Sequence, residues 1–513
     1  MPESSNDVAA NRGHSRASCL GPRHCVSLVV ALLAGVAAAA CHAPAPPNIV
    51  LVTVDTLRAD RLNPYGYRKI DTPAIAGLAA EGIVFEKAFA DTSWTLPSLS
   101  SVMTGKYPSA HRVRTWNDTL GEDQVTLAET LKARGYHTAA IVGSYPLDRY
   151  FGLNQGFEHY DDEMTRSLFV PEDATPVSPE SDPHRPADDS ATARATWQMA
   201  REQSNAYRSD REVADAAIKW IESNPSAPMF LWVHFFGPHE KGKRRGLSPE
   251  ARKAHVTAQI ARYDPDIVAM DRQVGRLIAS LRADPRFANT VLIFHSDHGQ
   301  SLREHGLFGH GMDLYDTTVH VPLIIRLPGA RRAGERIGYL VRNLDIFATV
   351  ADLAGASVER AASRDLLRAA PADNNHIFME SYHFLTLTAR DVDVGGRSRR
   401  VGAILRGIRT DDHKLIMQQP FLGPGEDPVP PLPENFVDSR SKSYLFHLET
   451  DPQEHKNLAG VDKAQLEQLR TRLSLYDDGS HRPAGSHHEL DAAAQERLRS
   501  LGYEIGTPPA QQK

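Results

Sequence analysis

Residues 48–55 read NIVLVTVD. Seven residues in a row are apolar or β-branched apart from the leading asparagine, and the run stops at a carboxylate. An unbroken run of this kind, without polar alternation, is expected of a strand buried on both faces, as in a parallel sheet. Working outward, the same kind of run returns between helical patterns. TPAIAGLAAEG at 72–82 has helical spacing and a glycine stop. HTAAIVGSY at 137–145 reads as a strand, REVADAAIKWI at 211–221 as an amphipathic helix, MFLWVHFF at 229–236 as a strand, residues 267–281 as a helix and TVLIFHSD at 290–297 as a strand. VPLIIRLPG at 321–329 and the helical LDIFATVADLAG at 344–355 complete the series. Strands alternating with helices predict an α/β fold with a large, mostly parallel sheet flanked by helices.

Two stretches break the pattern. Residues 161–203 are rich in Pro, Asp, Ser and Arg and read as a long surface insertion, and 420–440 are a proline-rich loop. Beyond them SYLFHLETDP and AQLEQLRTRLSLY predict a small C-terminal α+β subdomain, and the closing GTPPAQQK lacks the composition of a packed segment. The expected organisation is a signal peptide over 1–40, a tether over 41–47, a catalytic domain over 48–360, a C-terminal subdomain over 361–480 and a tail over 481–513.

The chain has 513 residues and a formal net charge of -6, so no global basic field is present to hold nucleic acid. Its three cysteines, Cys19, Cys25 and Cys41, lie ahead of the first strand. The body of the protein therefore has no disulfide framework, thiolate metal cage or cysteine nucleophile. Arg12, Arg16 and Arg23 precede the apolar run VSLVVALLAGVAAAAC, which ends in small residues. That is an export-signal pattern. Ala39, Ala40 and Cys41 resemble a bacterial lipobox, with Ala38 where leucine is usual; the alternative is a cleaved, fully soluble export signal. The expected location is outside the cytoplasm, periplasmic or at the cell surface, with a membrane anchor through Cys41.

Ligands of open α/β sheets bind beyond the carboxyl ends of the strands, so polar residues that end buried runs are the candidates. Asp55 ends the first run, Asp297 and His298 end TVLIFHS, and His234 and His239 lie in HFFGPH. Each alone reads as a turn or cap residue. Together they offer hard oxygen ligands and an imidazole for a divalent cation. SWTLPSLSSVMTG at 93–105 offers a nucleophile among Ser93, Thr95, Ser98, Ser100, Ser101 and Thr104, at the start of a short helix whose free N–H groups suit a phosphoryl or sulfuryl oxygen. The plain alternative is a capping box.

Taken in order, NIVLVTVDTLRADRLNPYGY, TLPSLSSVMTGKYPSAH, FLWVHFFGPH and SDHGQSLREHGLFGHG followed by LYD and VPLII resemble the sulfatase family of the alkaline phosphatase superfamily. GIRTDDHKLI, YLFHLETDPQEHKNLA and LRSLGY resemble that family's closing segments. The resemblance covers roughly residues 47–460. It implies an alkaline phosphatase-like fold and hydrolysis of sulfuric or related phosphate esters. It also implies an anionic small-molecule or glycan substrate, and a divalent metal held by Asp55, Asp297 and His298. Calcium is the family's metal; Thr56, where the family has a second aspartate, together with His298 moves the site toward manganese or zinc. Thr95 falls at the nucleophile position, His239 at a residue contacting the transferred group or leaving oxygen, and His310 where a lysine is common. His305 is a further histidine in this segment and reads as a surface residue.

Two departures bear on mechanism. Sulfatases convert a cysteine or serine to formylglycine; threonine is not a known substrate for that conversion, and Leu99 replaces the supporting arginine. The alternatives are thus a phosphodiester or phosphonate monoester hydrolase using unmodified Thr95, and a binding protein that kept the fold and lost catalysis.

Overall fold

The computed structural model describes residues 45–116, 118–165, 206–224, 228–241, 247–358, 362–368, 376–383, 391–394, 397–422, 442–476 and a few positions between 491 and 501. The expected signal peptide, most of the 161–203 insertion, most of the 420–440 loop and the final tail lie outside the described residues. Everything from Pro47 onward belongs to one compact unit.

The first strand, β1 (Asn48–Val54), forms as its apolar run predicts and is buried throughout. In chain order the main domain continues with α1 (Pro73–Glu81), β2 (Ile83–Phe85), α2 (Thr95–Thr104), α3 (Leu127–Lys132), β3 (His137–Val142) and β4 (His159–Asp161). There follow α4 (Asp210–Ser223), β5 (Met229–Phe235), α5 (Pro249–Ala283), β6 (Thr290–Ser296), β7 (Leu323–Arg326), β8 (Arg336–Ile337) and α6 (Asp345–Leu353). The eight strands make one sheet in the order β8-β2-β7-β6-β1-β5-β3-β4. All neighbours run parallel except β7, which is antiparallel to both β2 and β6. The alternating apolar runs had announced the parallel strands. The reversal of β7 depends on pairing between distant segments, which composition does not encode.

Side-chain alternation along β1 assigns the two faces. Ile49 and Leu51 join a core with Leu96, Leu99, Val102 and Met103 of α2, and with residues of α3 and α6. Val50, Val52 and Val54 join a second core with residues of α1, α4 and α5. Each fully buried Val, Leu or Ile in these layers stabilises by roughly 1.5–3 kcal/mol relative to exposure. Thr53 and Asp55 share the parity of Ile49 and Leu51, so they face the α2 side.

α5 runs far beyond the helix expected at 267–281. It spans 35 residues and carries Pro265 inside it. An internal proline removes one helical hydrogen bond and normally marks a boundary. Here Tyr263 and Ile267, on either side of it, are buried against the sheet, and their packing carries the helix across it. The residues before Tyr263 are largely exposed, so they gave no apolar stripe to read.

The C-terminal region forms a separate antiparallel sheet of β9 (His376–His383), β10 (Asp391–Val394), β11 (Arg397–Thr410), β12 (His413–Leu422) and β13 (Lys442–His447). Helix α7 (Lys463–Ser474) covers it through Leu466, Leu469 and Leu473. Its other face meets the main domain, where Ile377, Met379, Leu405 and Phe446 pack with Phe89, Leu314 and Val319.

Candidate metal and nucleophile centre

β1 lies between β5 and β6, with Thr53 paired in register with both His234 and His295. The next residues out of the sheet therefore emerge side by side. Asp55, Asp297 and His298 present ligand atoms all within 4.8 Å of one another, and all three side chains are buried. The chain turns sharply after Asp55: Thr56 has φ +55. For a β-branched residue this left-handed geometry is strained, and surrounding bonds hold it. Thr56 N–H donates to Asp297 Oδ1 at 3.1 Å, while the Tyr263 hydroxyl donates to Thr56 O at 2.6 Å and accepts from Arg58 N–H at 3.1 Å.

The donor set fits a divalent cation on its own evidence. Both oxygens of Asp55 and Oδ2 of Asp297 are buried without a hydrogen-bond partner among the described residues. Buried carboxylate oxygens left unsatisfied are costly unless a charge meets them. Asp297 Oδ1 is already taken by the N–H groups of Thr56 and His298. The imidazole of His298 is oriented the same way: Nδ1–H donates to Gly299 O at 2.9 Å, so the lone pair sits on Nε2. That Nε2 lies 3.4 Å from Asp297 Oδ2 and 4.0 Å from Asp55 Oδ1. Burial, with the neighbouring Asp55 charge adding to it, pushes the Asp297 carboxyl above the ordinary carboxylate range. Burial acts on Asp55 as well, but the surrounding histidines, His239 foremost, outweigh it and hold that carboxyl low.

Six hydroxyls were open as nucleophiles, and the structure separates them. Ser93 donates to Asp313 O, Ser98 to Asp297 O, Ser100 to Leu96 O, Ser101 to Asp91 and Thr104 to Ser100 O. Thr95 Oγ1 alone of the six meets His298 Nε2, at 3.1 Å. It opens α2, whose N-cap is Trp94 and which carries no side-chain cap, so the capping-box alternative does not describe it. Its hydroxyl meets the cluster at His298.

Two further histidines complete the centre. His239 Nδ1–H donates to Glu240 O at 2.8 Å, and its Nε2 lies 3.2 Å from His310 Nε2. With both rings neutral, His310 is the donor in that pair. The His310 ring lies 4.5 Å from that of His298 and meets Trp94 edge-on at 5.5 Å. Gly311 has φ +82, and a Cβ there would fall 2.2 Å from the Trp94 indole, so the loop carrying His310 needs glycine at this point. Every residue the sequence assigned to the site is thus near the others. His305 is elsewhere, stacked on Tyr315 at 3.7 Å. Sequence reading missed Trp94 and Tyr263, neither of which stands out in its own segment. His234, counted at first among the strand-end groups that could hold a cation, is not in the Asp55, Asp297 and His298 cluster.

Comparison with known proteins gives the family and the fold. Residues 47–356 match the sulfatase family profile. The chain belongs to the sulfatase family. It is 24% identical to an arylsulfatase of Clostridium perfringens over 85% of this chain and 96% of that protein. It is 23% identical to an N-acetylglucosamine-6-O-sulfatase of Bacteroides thetaiotaomicron over 83% of this chain and 86% of that one. The crystal structure of the phosphonate monoester hydrolase of Agrobacterium radiobacter superposes with a TM-score of 0.60 at 20% identity, covering 84% of this chain and 94% of that one. This sulfatase-family protein is a hydrolase of sulfate or phosphate esters, on a fold shared with both kinds of enzyme.

Proposed function

We propose that this sulfatase-family hydrolase is metal-dependent and cleaves its ester with the unmodified hydroxyl of Thr95. The observation that carries the reading is the 3.1 Å contact between Thr95 Oγ1 and His298 Nε2, beside the unpartnered oxygens of Asp55 and Asp297. Asp55, Asp297 and His298 would hold the ion. A cation bound there supplies Lewis acidity and makes a neighbouring hydroxyl more acidic. Thr95 Oγ1 gives its proton to solvent water and attacks phosphorus or sulfur, and the bond to the ester oxygen breaks. The departing oxygen takes a proton from His310, whose Nε2–H faces His239 Nε2 when both rings are neutral. The N–H groups at the start of α2 receive the charged oxygens of the transferred group. Water then attacks the same phosphorus or sulfur, releases phosphate, phosphonate or sulfate, and restores the threonine.

The substrate is an anionic ester on a glycan or small molecule. The sequenced relatives are named as sulfatases, which supports sulfuric esters. A threonine hydroxyl at the attacking position supports the second reading, phosphodiester or phosphonate monoester hydrolysis, because no aldehyde hydrate is formed that could expel sulfate by collapsing. Manganese or zinc suits the imidazole-containing set better than calcium, which prefers oxygen ligands. The basic and apolar N-terminus ending at Cys41 supports export and a lipid anchor. The deciding experiment is a panel of 4-nitrophenyl sulfate, phosphate and phenylphosphonate and bis(4-nitrophenyl) phosphate. Each is assayed after chelation and again with Mn²⁺, Zn²⁺ or Ca²⁺ restored. Turnover that survives chelation, or that persists unchanged in Thr95→Ala, overturns the proposal.

A further inference from the structure

The row of side chains one step below the metal centre has no part in the chemistry above. β5, β1 and β6 place His234, Thr53 and His295 level with one another. His295 is tied to its own strand, donating from Nδ1 to Ser296 O at 2.9 Å. His234 is connected differently. Its Nδ1 lies 2.7 Å from Thr53 Oγ1, which also accepts from Trp232 Nε1–H at 3.0 Å. All three side chains are fully buried.

Only with the Thr53 proton directed at His234 Nδ1 do the indole N–H and the Thr53 hydroxyl both find acceptors within this chain of contacts. An indole N–H only donates, so it occupies a lone pair of Thr53. The threonine proton then goes to His234 Nδ1, the remaining partner of that hydroxyl. His234 is thereby the tautomer with its proton on Nε2. That N–H has no hydrogen-bond partner and lies 3.8 Å from Asp55 Oδ2, which has none either. The distance is that of a dipole facing a charge rather than a formed hydrogen bond.

We infer that His234 is a positioning residue for Asp55: Trp232 and Thr53 fix its tautomer so that Nε2–H faces Oδ2 and leaves Oδ1, on the His298 side, to the ion. This rests on the metal-centre reading above. Groups behind a ligand typically alter metal affinity by about 10–100-fold when removed. His234 acts through Asp55 and does not itself bind the ion.

The test uses the full chain, stripped of metal and titrated with Co²⁺, following both affinity and the visible d–d spectrum at saturation. His234→Phe is expected to bind about 10–100-fold more weakly with the wild-type spectrum. His234→Gln, whose amide N–H reaches the place of Nε2–H, is expected within about threefold of wild type. Thr53→Val, which keeps the strand's shape and removes the relay, is expected to weaken binding several-fold. It decides the question if His234→Phe does not fold. Affinity in His234→Phe or Thr53→Val equal to wild type overturns the inference, as does a changed spectrum in His234→Phe, which would make His234 a ligand. Asp55→Ala separates the two readings. If the wild type binds no Co²⁺, or Asp55→Ala binds it as tightly, the metal centre itself falls and this inference with it. If only the His234 and Thr53 variants behave as wild type, the positioning role alone falls.

Discussion

Among the buried and half-buried carboxylates of the described residues, two groups are balanced in opposite ways. Where the C-terminal sheet meets the main domain, the chain supplies its own cations. Lys414, fully buried, is 2.7 Å from Asp316 and 2.8 Å from Glu454, and Arg409 reaches Asp316 at 3.0 Å. At the strand ends, Asp55 and Asp297 are met by imidazoles, backbone N–H groups and the Ser296 hydroxyl, and no Lys or Arg among the described residues pairs with either. Paired charges, once desolvated, fasten two parts of a fold; removing one partner strands the other. Under the proposed metal-dependent reading, the second group is where charge arrives from outside, and the contrast is then one between acid groups that fasten the fold and acid groups that take part in the chemistry.

The sharpest way to break the comparison is to mutate the unbalanced side. Thr95→Ala and Asp55→Ala are each expected to lower kcat/KM by on the order of 10³-fold or more while far-UV circular dichroism and melting temperature stay near wild type. Thr95→Ser should remain within about tenfold, since it keeps the hydroxyl; Thr95→Ala within that same factor, about 1.4 kcal/mol of barrier, would remove Thr95 as nucleophile. The balanced side should answer in reverse. Lys414→Met strands Glu454 beside an Asp316 left to Arg409 alone and should cost about 3–5 kcal/mol in urea unfolding, with turnover per folded molecule unchanged. A third measurement joins the two. Metal at about 100 times its Kd should stabilise the wild type by about 2.7 kcal/mol, and Lys414→Met equally, whereas Asp55→Ala should show no shift.

A second buried network offers a smaller test. Ser101 donates to Asp91 at 2.5 Å and accepts from His111 Nε2 at 3.0 Å, while Val113 N–H donates to His111 Nδ1. Burial, helped by Lys106 and Arg114, pushes the imidazole down to about 3. Its unfolded value is near 6.5, so the unfolded chain binds the proton first. The stability this ring contributes is complete above about pH 6.5 and is lost as pH falls toward 3. Unfolding free energy should drop by about 2 kcal/mol from this group between pH 7 and pH 5, and His111→Gln should flatten that slope. Smallest of all, Lys87→Ala removes an exposed pair with Asp411 at the same domain junction, and should change stability by about 0–1 kcal/mol.

The sequence made these regions legible to different degrees. Asp55, Asp297, His298, Thr95, His239 and His310 each stand in a segment whose pattern is local: a buried run ending in a polar residue, or a hydroxyl opening a helix. The structure brings all six together. Which of six hydroxyls faces the cluster was not readable from residue chemistry: Ser93 and Ser98 are spent on remote partners at Asp313 and Asp297, Ser100, Ser101 and Thr104 on nearby ones, and His298, the partner of Thr95, lies 203 residues further on. Lys414 and Arg409 sit in GIRTDDHKLI with nothing to show that Asp316, almost a hundred residues earlier, is their partner. Pro265 argued for a break that tertiary packing overrides. Pairing between remote segments is the common cause in each case.

The bond from Tyr263 to Thr56 carries a last consequence. Tyr263 belongs to α5, two residues before its internal proline, where the helix has lost a backbone hydrogen bond. The turn that Tyr263 holds carries Asp55. An ion that favours the closed turn must, by reciprocity, favour the helix segment that closes it. Amide hydrogen exchange in the first half of α5 should therefore slow when metal is added, although its exposed residues touch none of the ligands, and Tyr263→Phe should uncouple the two.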